Sequence, residues 1–145
     1  MIRSLVAPLS VLAFIVTAGC ATPPADLDVS LKRVTADGKF VVTLQPPAAP
    51  PAINQMHAWG LRVSTPAGLP VSGAQIAVDG GMPQHGHGLP TRPRVRPTSD
   101  EGAYLLEGMK FSMTGWWEIK LAIQTPTGSD NVTFNTLVSN PSTAR

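Results

Sequence analysis

The sequence predicts an all-β domain, an immunoglobulin-like β-sandwich of about seven strands behind an N-terminal leader. Three observations carry that prediction. Beyond the first 20 positions the apolar residues recur with period two, and no stretch sustains the 3.6-residue period of a helix. The chain of 145 residues holds 15 prolines and 13 glycines, which punctuate it about every eight to twelve residues, as in a sandwich or barrel. Charged residues make up only 14% and the net charge is +2, a balance that excludes a nucleic-acid binder and a disordered charged tail. The length suits one domain.

The leader comes first. Arg3 precedes an apolar run from Leu5 to Val16, and Thr17-Ala18-Gly19 leads into Cys20. A positive start, a short apolar core and small residues before a cleavage point make a signal peptide, and the run is too short to span a bilayer. Cys20 is the chain's one cysteine, so an internal disulfide, a CxxC redox pair and a thiolate zinc site are all excluded. Its position resembles the box of bacterial lipoproteins, in which the cysteine is acylated and becomes the first residue. The expected division is therefore residues 1–19 as signal peptide, 20–26 as lipidated cysteine and tether, and 27–145 as the domain. Ala21, where an inner-membrane retention signal would place Asp, points to sorting onward to the outer membrane, with the domain facing the periplasm.

Eight runs read as strands: Asp28–Thr35, Lys39–Gln45, Asn54–Thr65, Ala74–Val78, Thr91–Pro97, Ala103–Leu106, Trp116–Thr125 and Asn131–Val138. Asp37-Gly38 marks a hairpin turn, and the proline-rich stretch 46–51 an extended crossover. Trp117, Ile119, Leu121 and Ile123 share one face, opposite Glu118 and Lys120; His57, Trp59, Leu61 and Val63 share another. Trp117 is expected in the core and Trp116 at its rim. Arg92, Arg94 and Arg96 alternate with Pro93, Val95 and Pro97, most simply the pattern of a guarded edge strand, with an anion or headgroup contact as the lesser reading.

The chemistry concentrates in Asp79-Gly80-Gly81-Met82-Pro83-Gln84-His85-Gly86-His87-Gly88. Imidazole with thioether suits copper, Cu(I) ahead of Cu(II), and an extended His-x-His places both rings on one side. Met109, Phe111 and Met113 follow at period two, and Met56-His57 supplies a third pair. Outside the cytoplasm methionine and histidine continue to bind copper where a free thiol oxidises. Met82, His85 and His87 are thus the expected core ligands, with Met109, Met113 and His57 completing the set if the segments converge at one rim. Each has a plainer reading: an exposed glycine-rich turn for the histidine pair, core filling for Met109 and Met113, and a hydrogen-bonded core histidine for His57. Asp79 is either a carboxylate orienting a ligand histidine or ordinary turn chemistry. No nucleophile triad, HExxH helix, phosphate loop or dinucleotide fingerprint is present, so an enzyme is not expected.

Across Asn54 to Ile123, the blocks Met56-His57-Ala58-Trp59, Met82-Pro83-Gln84-His85-Gly86-His87-Gly88, Leu106-Glu107-Gly108-Met109-Lys110-Phe111 and Gly115-Trp116-Trp117 resemble the YtkA-like, FixH-related group of small extracytoplasmic domains. The FixH branch is linked to copper supply for respiratory oxidases, so the resemblance implies copper handling. This chain departs from that branch in carrying a lipid anchor where FixH has a transmembrane helix. The expectation is a lipid-anchored periplasmic copper-binding protein that stores, buffers or delivers the ion. Its partners would be the membrane, through the acyl chains on Cys20, and a copper-donating or copper-receiving envelope protein. The competing expectation is a non-metal immunoglobulin-like interaction module. A third is a small-ligand binder with Trp59, Trp116 and Trp117 as a stacking wall, which requires an apolar pocket between them.

Overall fold

A computed structural model describes residues 22–139; the expected signal peptide, residues 1–19, and Cys20 lie outside the described residues. Within them the chain forms nine strands: β1 (Lys32–Val34), β2 (Val41–Gln45), β3 (His57–Ser64), β4 (Gln75–Met82), β5 (His87–Gly88), β6 (Arg94–Pro97), β7 (Ala103–Met109), β8 (Gly115–Thr125) and β9 (Gly128–Val138). They make two sheets, one ordered β1-β2-β3-β7-β6 and one ordered β5-β4-β8-β9. Every pairing is antiparallel. The protein is a β-sandwich.

Period two determines which side chains lie between the sheets. On β8, Trp117, Ile119, Leu121 and Ile123 are buried, while Lys120, Ala122 and Gln124 are exposed. On β3, Trp59, Leu61 and Val63 point inward; Leu44 on β2, Leu106 on β7 and, from the opposite sheet, Phe134 on β9 belong to the same buried cluster. The core is apolar apart from a few anchored polar groups, as a sandwich of two amphipathic sheets requires.

Where a sandwich of about seven strands is expected, all eight strand-like runs form strands and β5 makes a ninth, because the glycine-rich stretch closes into a hairpin. β4 continues through Gly80-Gly81 to Met82, and β5 returns beside it. Bare glycines permit this: a Cβ at Gly80 would collide with the Glu118 carbonyl, and one at Gly81 with that of His87. The proline-rich stretch is also not a crossover, since β2 and β3 on either side of it pair directly, Val41 with Ser64 and Gln45 with Gly60. It forms a long connection at one end of the sandwich, where prolines lack the N–H needed to extend the ladder. The arginine run is an edge strand, β6, as expected.

The strands define two ends. One gathers the start of β3, the β4–β5 hairpin, the end of β7 and the start of β8. The other gathers the β1–β2 turn, the start of β7 and the β8–β9 turn. Asp130 closes the second end. Its carboxylate accepts from the Thr35 hydroxyl and from the backbone N–H groups of Asp37, Lys39 and Asn131. Burial alone would raise its pKa, but these donors outweigh burial and hold it at about 2.

Candidate metal centre

All three Met/His segments arrive at the first end. His57 pairs with Met109 across β3 and β7, and Met82 pairs with His87 across β4 and β5. The link from β7 to β8 carries Met113 past the same rim. The convergence expected of a sandwich therefore holds for the segments. The side chains differ in what they offer.

The β4–β5 hairpin gathers Met82, His85 and His87 most closely. Directly opposed residues on paired strands project to the same face, so Met82 and His87 are side-by-side neighbours. His85 sits in the tight turn between them, its backbone N–H donating to the Met82 carbonyl at 3.1 Å. The imidazole centres of His85 and His87 are 6.0 Å apart, and both histidines are exposed. Two imidazoles sharing one ion through bonds of about 2.0–2.1 Å place their ring centres roughly 5–6 Å apart, so a small adjustment suffices. Met82 is buried, with its methyl group close over Gly115. Its unbranched thioether is the flexible member of the set.

Met109 and Met113 do not share a face. β7 stops at Met109, so the period-two pattern ends there, and Gly108 turns the backbone with a φ of 78°. Met109 and Phe111 are fully buried, whereas Met113 is exposed at the rim. Met113 still touches the core through its backbone, its carbonyl accepting the Trp117 indole N–H at 3.0 Å.

His57 occupies a different setting. A register shift between His57 and Trp59 accommodates the extra residue that β7 inserts near Gly108. The Trp59 indole N–H donates to His57 Nδ1 at 2.9 Å, and the Phe111 ring centre lies 5.0 Å from the imidazole. Phe111 in turn packs against Trp117 at 5.2 Å. With Nδ1 accepting, the proton of the neutral ring is on Nε2, which is buried and has no hydrogen-bond partner among the described residues. Burial lowers the pKa of this histidine. Ligation through Nε2 would require that proton to move to Nδ1, where the Trp59 N–H already points. His57 is thus a packed, neutral imidazole beneath the rim, and any ligand role would require breaking its bond to Trp59.

Two further expectations resolve by geometry. Asp79 lies within strand β4 opposite Lys120, not in a turn, and its carboxylate accepts from the neighbouring Gly80 N–H at 2.8 Å and from no histidine. Trp59 and Trp117 are core residues and Trp116 is half-buried, bonded to Asn135, so the three form no stacking wall.

Sequence reasoning missed the Trp59–His57 pairing, although the i, i+2 spacing on one strand face was its visible signal. It also missed Gln84, whose side-chain amide donates to the Thr22 carbonyl at 2.7 Å and ties the tether to the hairpin. Nothing local in the sequence announces a contact across that separation.

Among the described residues, no three His, Cys, Asp or Glu side chains gather closely enough to hold an ion. A metal at this end would therefore draw on thioether donors as well as imidazoles, a soft set that fits copper better than zinc, calcium or magnesium. A comparison with curated proteins returned no match. A model of the YtkA-like family, by contrast, matches residues 32–122, which run from β1 into β8 and take in the hairpin and the β7–β8 link. The chain belongs to the YtkA-like family.

Proposed function

We propose that this protein is a lipid-anchored, periplasm-facing copper-binding protein, attached through Cys20 and storing, buffering or passing copper without catalysing a reaction. The observation that carries the reading is the β4–β5 hairpin, which pairs Met82 with His87 and brings the imidazoles of His85 and His87 within 6.0 Å of each other. Two exposed imidazoles receive the ion, and a thioether from a dry position favours the cuprous state. Met113 at the rim is the next available donor, while Met109 and His57 form the packed layer beneath. A copper-donating or copper-receiving envelope protein would approach the exposed histidines.

The test is a competition titration of the chain from residue 21 onward with Cu(I) and Cu(II), repeated on H85A/H87A, M82L and M109A/M113A. Stoichiometric Cu(I) binding that falls by an order of magnitude or more in H85A/H87A and in M82L is expected, with a smaller loss in M109A/M113A. Gly81→Ala, which forces β5 away from β4, should weaken copper as much as the histidine pair while leaving the far-ultraviolet spectrum of the sandwich intact. Binding no tighter than that of an unrelated control would remove the copper reading.

A further inference from the structure

The end of the sandwich that carries the hairpin is also the end from which the tether emerges. Gln84 holds the Thr22 carbonyl beside His85, and Asn135 on β9 holds the Asp28 carbonyl at 2.8 Å. Between these points the chain crosses the rim, turning where the Leu27 N–H bonds the Pro24 carbonyl. It then runs away from that rim into β1, with Arg33 donating to the Thr133 carbonyl and the Ala36 N–H to that of Asn131. Two residues beyond Thr22 is Cys20, and two extended residues reach at most about 7 Å.

The charges divide along the same axis. Arg92, Arg94 and Lys110 lie at the hairpin end, where Thr91 bonds the Gly108 carbonyl and Arg94 pairs in register with Glu107. None of the three has a salt-bridge partner among the described residues, because Glu107 is engaged by Arg96. The carboxylates near this end that have no salt bridge among the described residues are Asp26 in the tether and Asp79 on β4, so the three cations still outnumber them. Exposed Met56 lies over Gly108 beside the Arg92 carbonyl. Exposed Met113 and half-buried Trp116 stand at the same end, on the β7–β8 link and the start of β8, a mixture of apolar and cationic groups that favours a lipid–water interface. The far end also exposes apolar side chains, Val34 and Leu69, but there the loose charges are Asp100 and Glu101 against Arg62. Charge separates the two ends more sharply than hydrophobicity does.

We infer that the hairpin end docks on the anionic phospholipid surface of the membrane that anchors the chain, held by the short tether and by Arg92, Arg94 and Lys110. The inference rests on the reading of Cys20 as acylated and is independent of copper. On that surface His85 and His87 face the bilayer, and the ligand-bearing rim is presented to a membrane-embedded protein in preference to one diffusing in the periplasm.

The acylated full chain has no free thiol once Cys20 is a thioether, so Thr114→Cys and Ser99→Cys each introduce one exposed attachment point, at the hairpin end and the far end respectively. A fluorophore is attached to each variant in vesicles of phosphatidylethanolamine with and without phosphatidylglycerol, and quenching by headgroup-labelled lipid is measured. Quenching at position 114 several-fold stronger than at 99, dependent on phosphatidylglycerol and lost in R92Q/R94Q/K110Q, is expected. Equal quenching at both positions, stronger quenching at 99, or a contrast that survives the triple substitution would overturn the docking surface. Intact mass separates the two levels: an unacylated Cys20 overturns the anchor and the docking together, whereas an acylated chain with equal quenching overturns the docking alone.

Discussion

The two ends of this sandwich solve the same problem in opposite ways. Where strands stop, ladder groups and core edges must be closed off. At the β1–β2 end a single buried carboxylate does this with every donor matched: Asp130 takes the Thr35 hydroxyl and the N–H groups of Asp37, Lys39 and Asn131. At the hairpin end closure is aromatic and sulfur-based: His57, Phe111 and Trp117 pack in a row above Met109, and one imidazole nitrogen is left without a partner. A fully satisfied polar network rigidifies its surroundings, while thioethers and an orphaned nitrogen leave a region that can rearrange. The rigid end fixes the fold, and the adaptable end carries the donors.

The largest expected effect tests what holds the adaptable end. Phe111→Ala removes the ring between His57 and Trp117 and should cost about 3–5 kcal/mol, as buried Phe truncations do. Urea unfolding measures it, and a cost near that of a surface substitution would mean the aromatic row does not close this end.

Asp130→Asn attacks the rigid end. It should lower Tm by several degrees at neutral pH, because an amide cannot accept from four donors as a carboxylate does. The same group sets an acid limit. Its folded pKa of about 2 lies below the unfolded value near 3.9, so the unfolded state binds more protons between them. The contribution of Asp130 is therefore complete above the unfolded value and disappears as pH falls through about 2. Thermal unfolding followed from pH 5 to pH 2 should show a steeper decline in the wild type than in Asp130→Asn, and parallel curves would remove the carboxylate from its role.

The smallest effect belongs to His57. Burial depresses its pKa, so the unfolded chain takes up a proton near pH 6.5 before the folded chain does. Stability is complete above that value and falls as pH drops through the folded pKa. His57→Phe keeps a ring in the slot and removes the titration, at the expense of the Trp59 hydrogen bond. The difference in Tm between pH 7.5 and pH 5.5 should shrink in the variant, and an unchanged difference would assign the decline elsewhere.

Much of the fold is legible in the sequence because the sheets are amphipathic. The faces of β3 and β8 follow directly from alternation, as do the buried Trp117 and half-buried Trp116. The ends of strands are less legible. Met113 lies two positions after Phe111 and four after Met109, and nothing in that spacing reveals that β7 halts at Met109. Gly80-Gly81 looks like a loop in one dimension but is the requirement for close backbone approach in three. The donors of the candidate site were visible as residue types, and Met82-x-x-His-x-His was visible as a unit because the hairpin is local. The neutral, indole-bonded state of His57 was not, since its environment comes from Phe111 on a distant segment.

The return strand of the hairpin is only two residues long, His87 and Gly88. So short a strand contributes few ladder bonds and no buried side chain, and short, exposed elements of this kind open at far lower free energy than the whole domain. Amide exchange at positions 84–88 should therefore be fast while β3 and β8 stay protected. If the hairpin holds copper as proposed, the ion would be taken up and let go at the rate of that local fraying, with the rest of the sandwich unmoved.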